Sequence, residues 1–367
     1  MRQFRAKEWS RRTVFPAVAA LILVLVPTLL QAQAVIKVND TVNFKFGLLL
    51  QAWADEQQDA VSRAYAQNLF VRRIRFLVAG QVAPNVTFFY ETDNPNLGKA
   101  PKALGTGFTT QDAYLEWKPT GSPEFMVDAG LILVPWCRNC LQSAPTHLTL
   151  DYGAFSFLQS APTQSSVGRD TGFQAKGYLD NGRLEYRVGI FQGIRQAGSR
   201  NAFRAAGRVQ YEFWDTEQVP FYPGTYLGKK KVLAIGGGFD HQQNFKAWAL
   251  DGFLEKPLAN KDSVTCQLDW LVYDGSTTFT AIPKQSDVLA EAGYYITSYK
   301  IQPFVRYEDQ SFAATANKSK NQQRYQAGLT WYPWGYNYNI RGAFTRVSPK
   351  VGNTTNEWTV QMQFFYF

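Results

Sequence analysis

Trp358-Thr-Val-Gln-Met-Gln-Phe-Phe-Tyr-Phe367 closes the sequence and decides how the rest is read. Polar and apolar residues alternate through most of it, and it stops on an aromatic side chain. The ends of soluble domains fray into water. A strand this apolar has a physical role at a chain end if it must pair with the first strand of a closed barrel, because an open edge in lipid leaves backbone N–H and C=O groups without partners.

Working back from that end, period-two alternation recurs in segments of roughly ten residues, as a transmembrane barrel requires. The segments are 43–53, 68–82, 86–94, 109–118, 125–133, 171–179, 183–193, 200–213, 231–241, 244–255, 263–273, 287–297, 300–309, 322–332, 336–347 and 356–367. The reading is therefore an all-β, antiparallel transmembrane β-barrel of 16 strands. Short Pro-, Asn-, Asp- or Gly-bearing connections (83–85, 119–124, 180–182, 242–243, 298–299, 333–335) suit tight turns. Longer stretches lie between them: 54–67, 95–108, 134–170, 194–199, 256–262, 310–321 and 348–355. Residues 214–230 and 274–286 are long for their places in this alternation. Short periplasmic turns with long outer loops are the asymmetry of a bacterial outer-membrane barrel.

The alternation also assigns faces. Phe203, Ala205, Gly207, Val209, Tyr211 and Phe213 share one face of a strand, and Arg204, Arg208, Gln210 and Glu212 the other. An arginine facing lipid near mid-bilayer costs ~2–4 kcal/mol, so the charged rows are placed inward, around a water-filled lumen. A soluble sandwich also alternates. Its solvent face would carry more Lys, Glu and Thr, and its apolar rows fewer terminal aromatics.

The first 34 residues read as a cleaved export signal. Arg2, Arg5, Lys7, Arg11 and Arg12 precede the apolar run Val14–Leu30, and Ala32-Gln33-Ala34 offers a cleavage site after Ala34. A membrane anchor is the alternative, but the run is at the short limit for spanning and contains Pro27. The barrel domain then covers 35–367. Removing five bases and one acid lowers the formal charge from +9 to +5. That mild basicity, with no basic helical stripe, excludes a nucleic-acid binder. Two histidines, His147 and His241, make a histidine metal site or a nucleophilic triad a poor fit, and neither lies beside a G-x-S-x-G. No catalytic residue, metal or cofactor is expected.

In a pore, function is the placement of charge. The inward rows collect Arg73, Arg75, Lys176, Arg187, Arg204, Arg208, Arg306, Arg324 and Arg341, against Glu91, Asp93, Asp112, Glu116, Glu185, Asp251 and Glu308. Nine bases facing seven acids give a slight cationic excess. These bases either line an anion path or pair across strands to satisfy the wall. The longest loop, 134–170, carries the apolar run Leu148–Leu158 and is expected to fold inward and narrow the pore. Arg138 and Arg169 would flank that constriction as bidentate anion ligands, or else tie the loop to the wall. Lys229-Lys230-Lys231 reads as a solvated turn or a funnel at the mouth. Cys137-Arg-Asn-Cys140 in an oxidising compartment reads first as an intraloop disulfide, and Cys266 as a small apolar filler.

Several stretches resemble the phosphate-selective porin O/P family: Arg72-Arg-Ile-Arg75 running into Phe76–Val82, then Phe88-Phe-Tyr-Glu-Thr-Asp93, Asp112-Ala-Tyr-Leu-Glu-Trp117, Gly168-Arg-Asp-Thr-Gly-Phe173 and Leu184–Gly193. The resemblance implies a 16-stranded, usually trimeric barrel with an inward loop and basic residues guiding anions. In the last strand the apolar row Trp358, Val360, Met362, Phe364 and Tyr366 is one position off the family's usual register, which ends on the final Phe. The expectation is an outer-membrane channel for passive diffusion of small anionic or polar solutes, with phosphate or polyphosphate as candidates. Its partners would be the bilayer, lipopolysaccharide and two further copies of itself. A closed-pore receptor is the alternative, although the loops carry no repeats and no plug domain precedes the barrel.

Overall fold

The computed structural model describes residues 34–101, 104, 107–165, 167–195 and 201–367. The export signal expected over 1–34 lies outside them except for Ala34. Seventeen strands follow in order: β1 (Ala34–Lys37), β2 (Asn43–Gln58), β3 (Tyr65–Ala83), β4 (Val86–Asp93), β5 (Thr109–Trp117), β6 (Met126–Leu133), β7 (Arg169–Leu179), β8 (Leu184–Phe191), β9 (Arg204–Glu212), β10 (Val232–Gln242), β11 (Phe245–Pro257), β12 (Ser263–Asp274), β13 (Gln285–Tyr295), β14 (Ile301–Phe312), β15 (Gln322–Trp334), β16 (Tyr338–Pro349) and β17 (Thr355–Tyr366). From β2 to β17 each strand pairs antiparallel with the next. β17 returns to β2 through ten residue pairs, Glu357↔Gln57 to Tyr366↔Leu48, and seals the wall. The result is a closed 16-stranded antiparallel barrel, as the sequence predicts.

The seam explains the last residues. β1 pairs with Asn43–Phe46, so it occupies the edge of β2 just beyond where β17 stops. Gly47 sits at the junction, where a side-chain carbon would lie 2.5 Å from the Tyr366 carbonyl oxygen. Only glycine lets the terminal aromatics close over that point. Trp358 faces outward, and Thr359, Gln361 and Gln363 are buried on the lumen side. The final Phe367 ring turns inward, over Phe89 at 6.0 Å and under the Lys45 ammonium at 4.5 Å. The one-residue offset of this strand therefore places its last aromatic in the lumen.

Facing follows the expected alternation elsewhere. On β9, Arg204, Arg208, Gln210 and Glu212 are buried, while the flanking Phe203 and Phe213 and the intervening Val209 are exposed on the lipid side. Outward aromatics pair across strands, Trp248 with Trp270 at 4.7 Å and Phe344 with Trp358 at 4.6 Å, forming the interfacial belt of such barrels.

Loop parity needs a correction. The turn 243–244 lies at the same end as the long loops, and 258–262 lies among the short turns. Residues 275–284 are accordingly in their proper place. Only 213–231 breaks the short-turn rule, because it leaves the rim and enters the lumen.

Candidate functional site

The lumen is shaped by two segments that fold inward from opposite ends. The first, 134–168, has its neck closed by the Val134 amide donating to the Gly168 carbonyl at 3.0 Å. It makes short 3-10 turns at Asn139–Leu141 and Ala144–Thr146 and a single helical turn at Ser160–Thr163. Its apolar residues pack on the inner wall: Trp136 lies against Tyr273 at 5.2 Å, and Leu148 and Leu150 cluster with Phe304 and Ala343. Gly238 on β10 permits the approach, since a side-chain carbon there would meet the Trp136 carbonyl carbon at 2.9 Å. Cys137 and Cys140 form a disulfide within this loop. Cys266 is free and half-buried.

A loop without a sheet of its own still needs partners for its backbone groups. Wall charges supply them. Asp251 accepts from the Arg138 amide at 3.1 Å, Asp269 from the Asn139 amide at 3.0 Å and Glu308 from the Ala154 amide at 2.6 Å. Arg306 donates to the Tyr152 carbonyl at 3.1 Å, and Arg341 donates to the His147 carbonyl at 2.9 Å and also to that of Thr149. Charged residues thus stand in for the water the loop has lost.

The second segment, 213–231, is the part sequence reasoning misplaced as an overlong turn. It rises from the short-turn end and pairs with the first, Tyr222 exchanging hydrogen bonds with Leu141 and Ser143 at 2.9 Å each. Arg138 forks onto both Glu217 oxygens at 2.7 Å with neither side chain exposed. Arg187 donates to the Val219 and Pro220 carbonyls at 2.8 and 2.9 Å. Lys231 lies over the Trp214 ring and Lys230 is bound to the Thr216 carbonyl, so the lysine run belongs to this segment's base.

The remaining predicted arginines are on the lumen side and occupied. Arg73 pairs with Asp151 at 2.5 Å, Arg75 with Glu91 at 2.6 Å and Asp93 at 3.0 Å, and Arg169 with Asp112 at 2.9 Å. Arg187 also pairs with Glu185, Arg204 with Asp240 at 2.5 Å, Arg208 with Asp251 at 2.7 Å, and Arg306 with Glu291. Arg324, a quarter exposed, bridges Glu308 at 3.5 Å and Glu357 at 3.6 Å. Among the described residues ten arginines and lysines are buried against sixteen carboxylates. Among these fully buried groups the acids outnumber the bases, while the partly exposed Arg72, Arg324 and Lys45 lie outside the count. The uncounted acids include Asp128, Asp170, Glu217, Asp240, Glu255, Asp269, Asp287 and Glu291.

A bulge in the wall shapes one layer of the lumen. β3 bulges opposite Gln51 and Ala52. A bulge places an extra residue against the partner strand, so Arg72 and Arg73 both turn inward and hold the same carboxylate, Asp151, at 2.9 and 2.5 Å. The inward row read from the alternation holds Arg73 and Arg75 and leaves out Arg72. Asp151 is partly exposed, with the partly exposed Arg72 beside it. The next residue, Tyr152, lines a cavity of about 610 Å³ opening toward the short-turn end, together with Arg75 and Arg169. Arg72 and Arg73 hold the Asp151 carboxyl far below the usual range, although its burial opposes this. Burial holds the His147 imidazole well below its ordinary value, so it is neutral.

Known proteins share this architecture. The family described as Phosphate-selective porin O and P matches residues 44–232. An anion-selective porin from Comamonas acidovorans aligns with a TM-score of 0.60 at 12% identity, over 89% of this chain and 100% of that one. Salmonella typhi OmpF, in complex with daunomycin, aligns at 0.61 and 12% identity, over 90% and 100%. The outer-membrane channel DcaP of Acinetobacter baumannii aligns at 0.56 and 9% identity, over 90% and 99%. At these identities the structures share the fold. No curated protein matches in sequence. With a family match spanning half of its length and a sealed 16-stranded wall around an inward loop, the chain belongs to the phosphate-selective porin O and P family and is an outer-membrane porin.

Proposed function

We propose that this porin passes small anions and small polar solutes passively, and that selection is made at the Asp151–Tyr152 layer. One observation carries the reading: Arg72, Arg73, Arg306 and Arg341 all bond the short stretch His147–Tyr152, whose only acid is Asp151. Guanidinium forks can replace part of an anion's hydration shell. Arg72 and Arg324, both partly exposed, raise the local anion concentration. Arg75 and Arg169 receive the anion on the inner side. Arg138, Arg187, Arg204 and Arg208 act as ties for the inward segments and the wall. Transport involves no covalent step, so the porin is not an enzyme. A homotrimer is supported by the Vibrio cholerae OmpT structure, described as a trimer form, and its surroundings would be lipid and lipopolysaccharide. Residues 1–34 are the export signal.

The test is reversal potential in asymmetric salt. Arg72→Ala should shift it toward cations and Asp151→Asn toward anions, with phosphate tested as a blocker of chloride current. Identical selectivity in wild type and both variants would remove the layer from its assigned role.

A further inference from the structure

The 610 Å³ inner chamber is within the size range of small-molecule sites, and its lining is not that of a plain aqueous vestibule. Phe89 lies at its centre, with Phe221 at 5.6 Å, Tyr114 at 5.8 Å and Phe367 at 6.0 Å. Leu49 and Leu77 complete an apolar wall. A hydrated inorganic ion gains nothing from such a wall, whereas an aromatic ring gains buried area and edge-to-face contacts.

The charges at the same cavity point to the other half of a ligand. Its two lining side-chain carboxylates are already paired, Glu91 with Arg75 at 2.6 Å and Glu116 with Lys176 at 2.7 Å. Lys45 also lines it, and among the described residues its ammonium meets only the Phe367 ring, at 4.5 Å. Among the described lining cations, Arg75 and Arg169 have carboxylate partners, and Lys45 is the one without a side-chain carboxylate, adjoining the aromatic wall. We infer that the chamber is a binding subsite for an aromatic carboxylate, its ring against Phe89 and its carboxylate at Lys45. This deepens the channel reading above and rests on it for the route of access.

Benzoate is the probe, with acetate as the carboxylate lacking a ring. Added on the short-turn side of planar bilayers holding the full-length porin, benzoate should interrupt chloride current at a concentration at least tenfold below acetate. Phe89→Ala should abolish that preference and Lys45→Gln should reduce it at least threefold. Should Phe89→Ala not fold, Lys45→Gln, at the rim, decides alone. Calorimetry on the detergent-solubilised porin measures the same ratio without needing current. A silent bilayer with a tenfold calorimetric preference would defeat the channel reading and leave the subsite standing. Equal binding of benzoate and acetate, or an unchanged preference in the folded variants, overturns the subsite.

Discussion

Arg138, chosen from the sequence because it opens the longest loop, has no exposed face and forks onto Glu217. Truncating one partner of a fully buried pair strands the other charge and costs about 3–5 kcal/mol. Glu217→Ala should therefore lower the temperature at which the folded porin loses its compact electrophoretic mobility. An unchanged transition would show that the pair holds nothing. His147 makes a second prediction. Its folded value lies well below the ordinary one, so folding excludes a proton that the unfolded chain binds. The stability it permits is intact above about pH 6.5, the unfolded value, and is lost as pH falls below that. Asp151, held below the usual range, keeps its charge over the same interval. Loop 134–168 should loosen between pH 7 and 5, read as more frequent large openings in single-channel traces. His147→Gln should remove that pH response, and its persistence would place the titration elsewhere.

Elements differ in how much of themselves the sequence reveals. The 16 wall strands were legible because lipid on one side and water or charge on the other enforce a two-residue period. Arg72 was left out of the inward row because a bulge adds one residue and hides it from that count. Asp251, Asp269, Glu291 and Glu308 serve the loop as hydrogen-bond acceptors. Nothing in their spacing distinguishes that role from pore lining. Segment 213–231 was visible only as an overlong turn, since its partner lies 80 residues earlier and follows no period. It fills the lumen beside 134–168. Replacing 216–228 by a two-residue turn should raise unitary conductance several-fold. An unaltered conductance would place the limiting step outside this half of the lumen.

At the scale of the molecule, the wall and the filling have separate physical origins. Backbone pairing around a closed ring satisfies the groups that lipid cannot, and it ends at Gly47 and Phe367, where the seam narrows to glycine. Inside, the two inward segments are hydrated by fixed charges instead of water, which is why so many lumen residues are buried. The proposed route runs from Arg72 and Arg324, past Asp151 and Tyr152, to the chamber of Phe89 and Lys45. Single-channel recording of purified full-length porin in planar bilayers tests this most directly. Discrete, uniform conductance steps that narrow toward cation selectivity in Arg72→Ala are predicted. A correctly inserted barrel that conducts no current would contradict it.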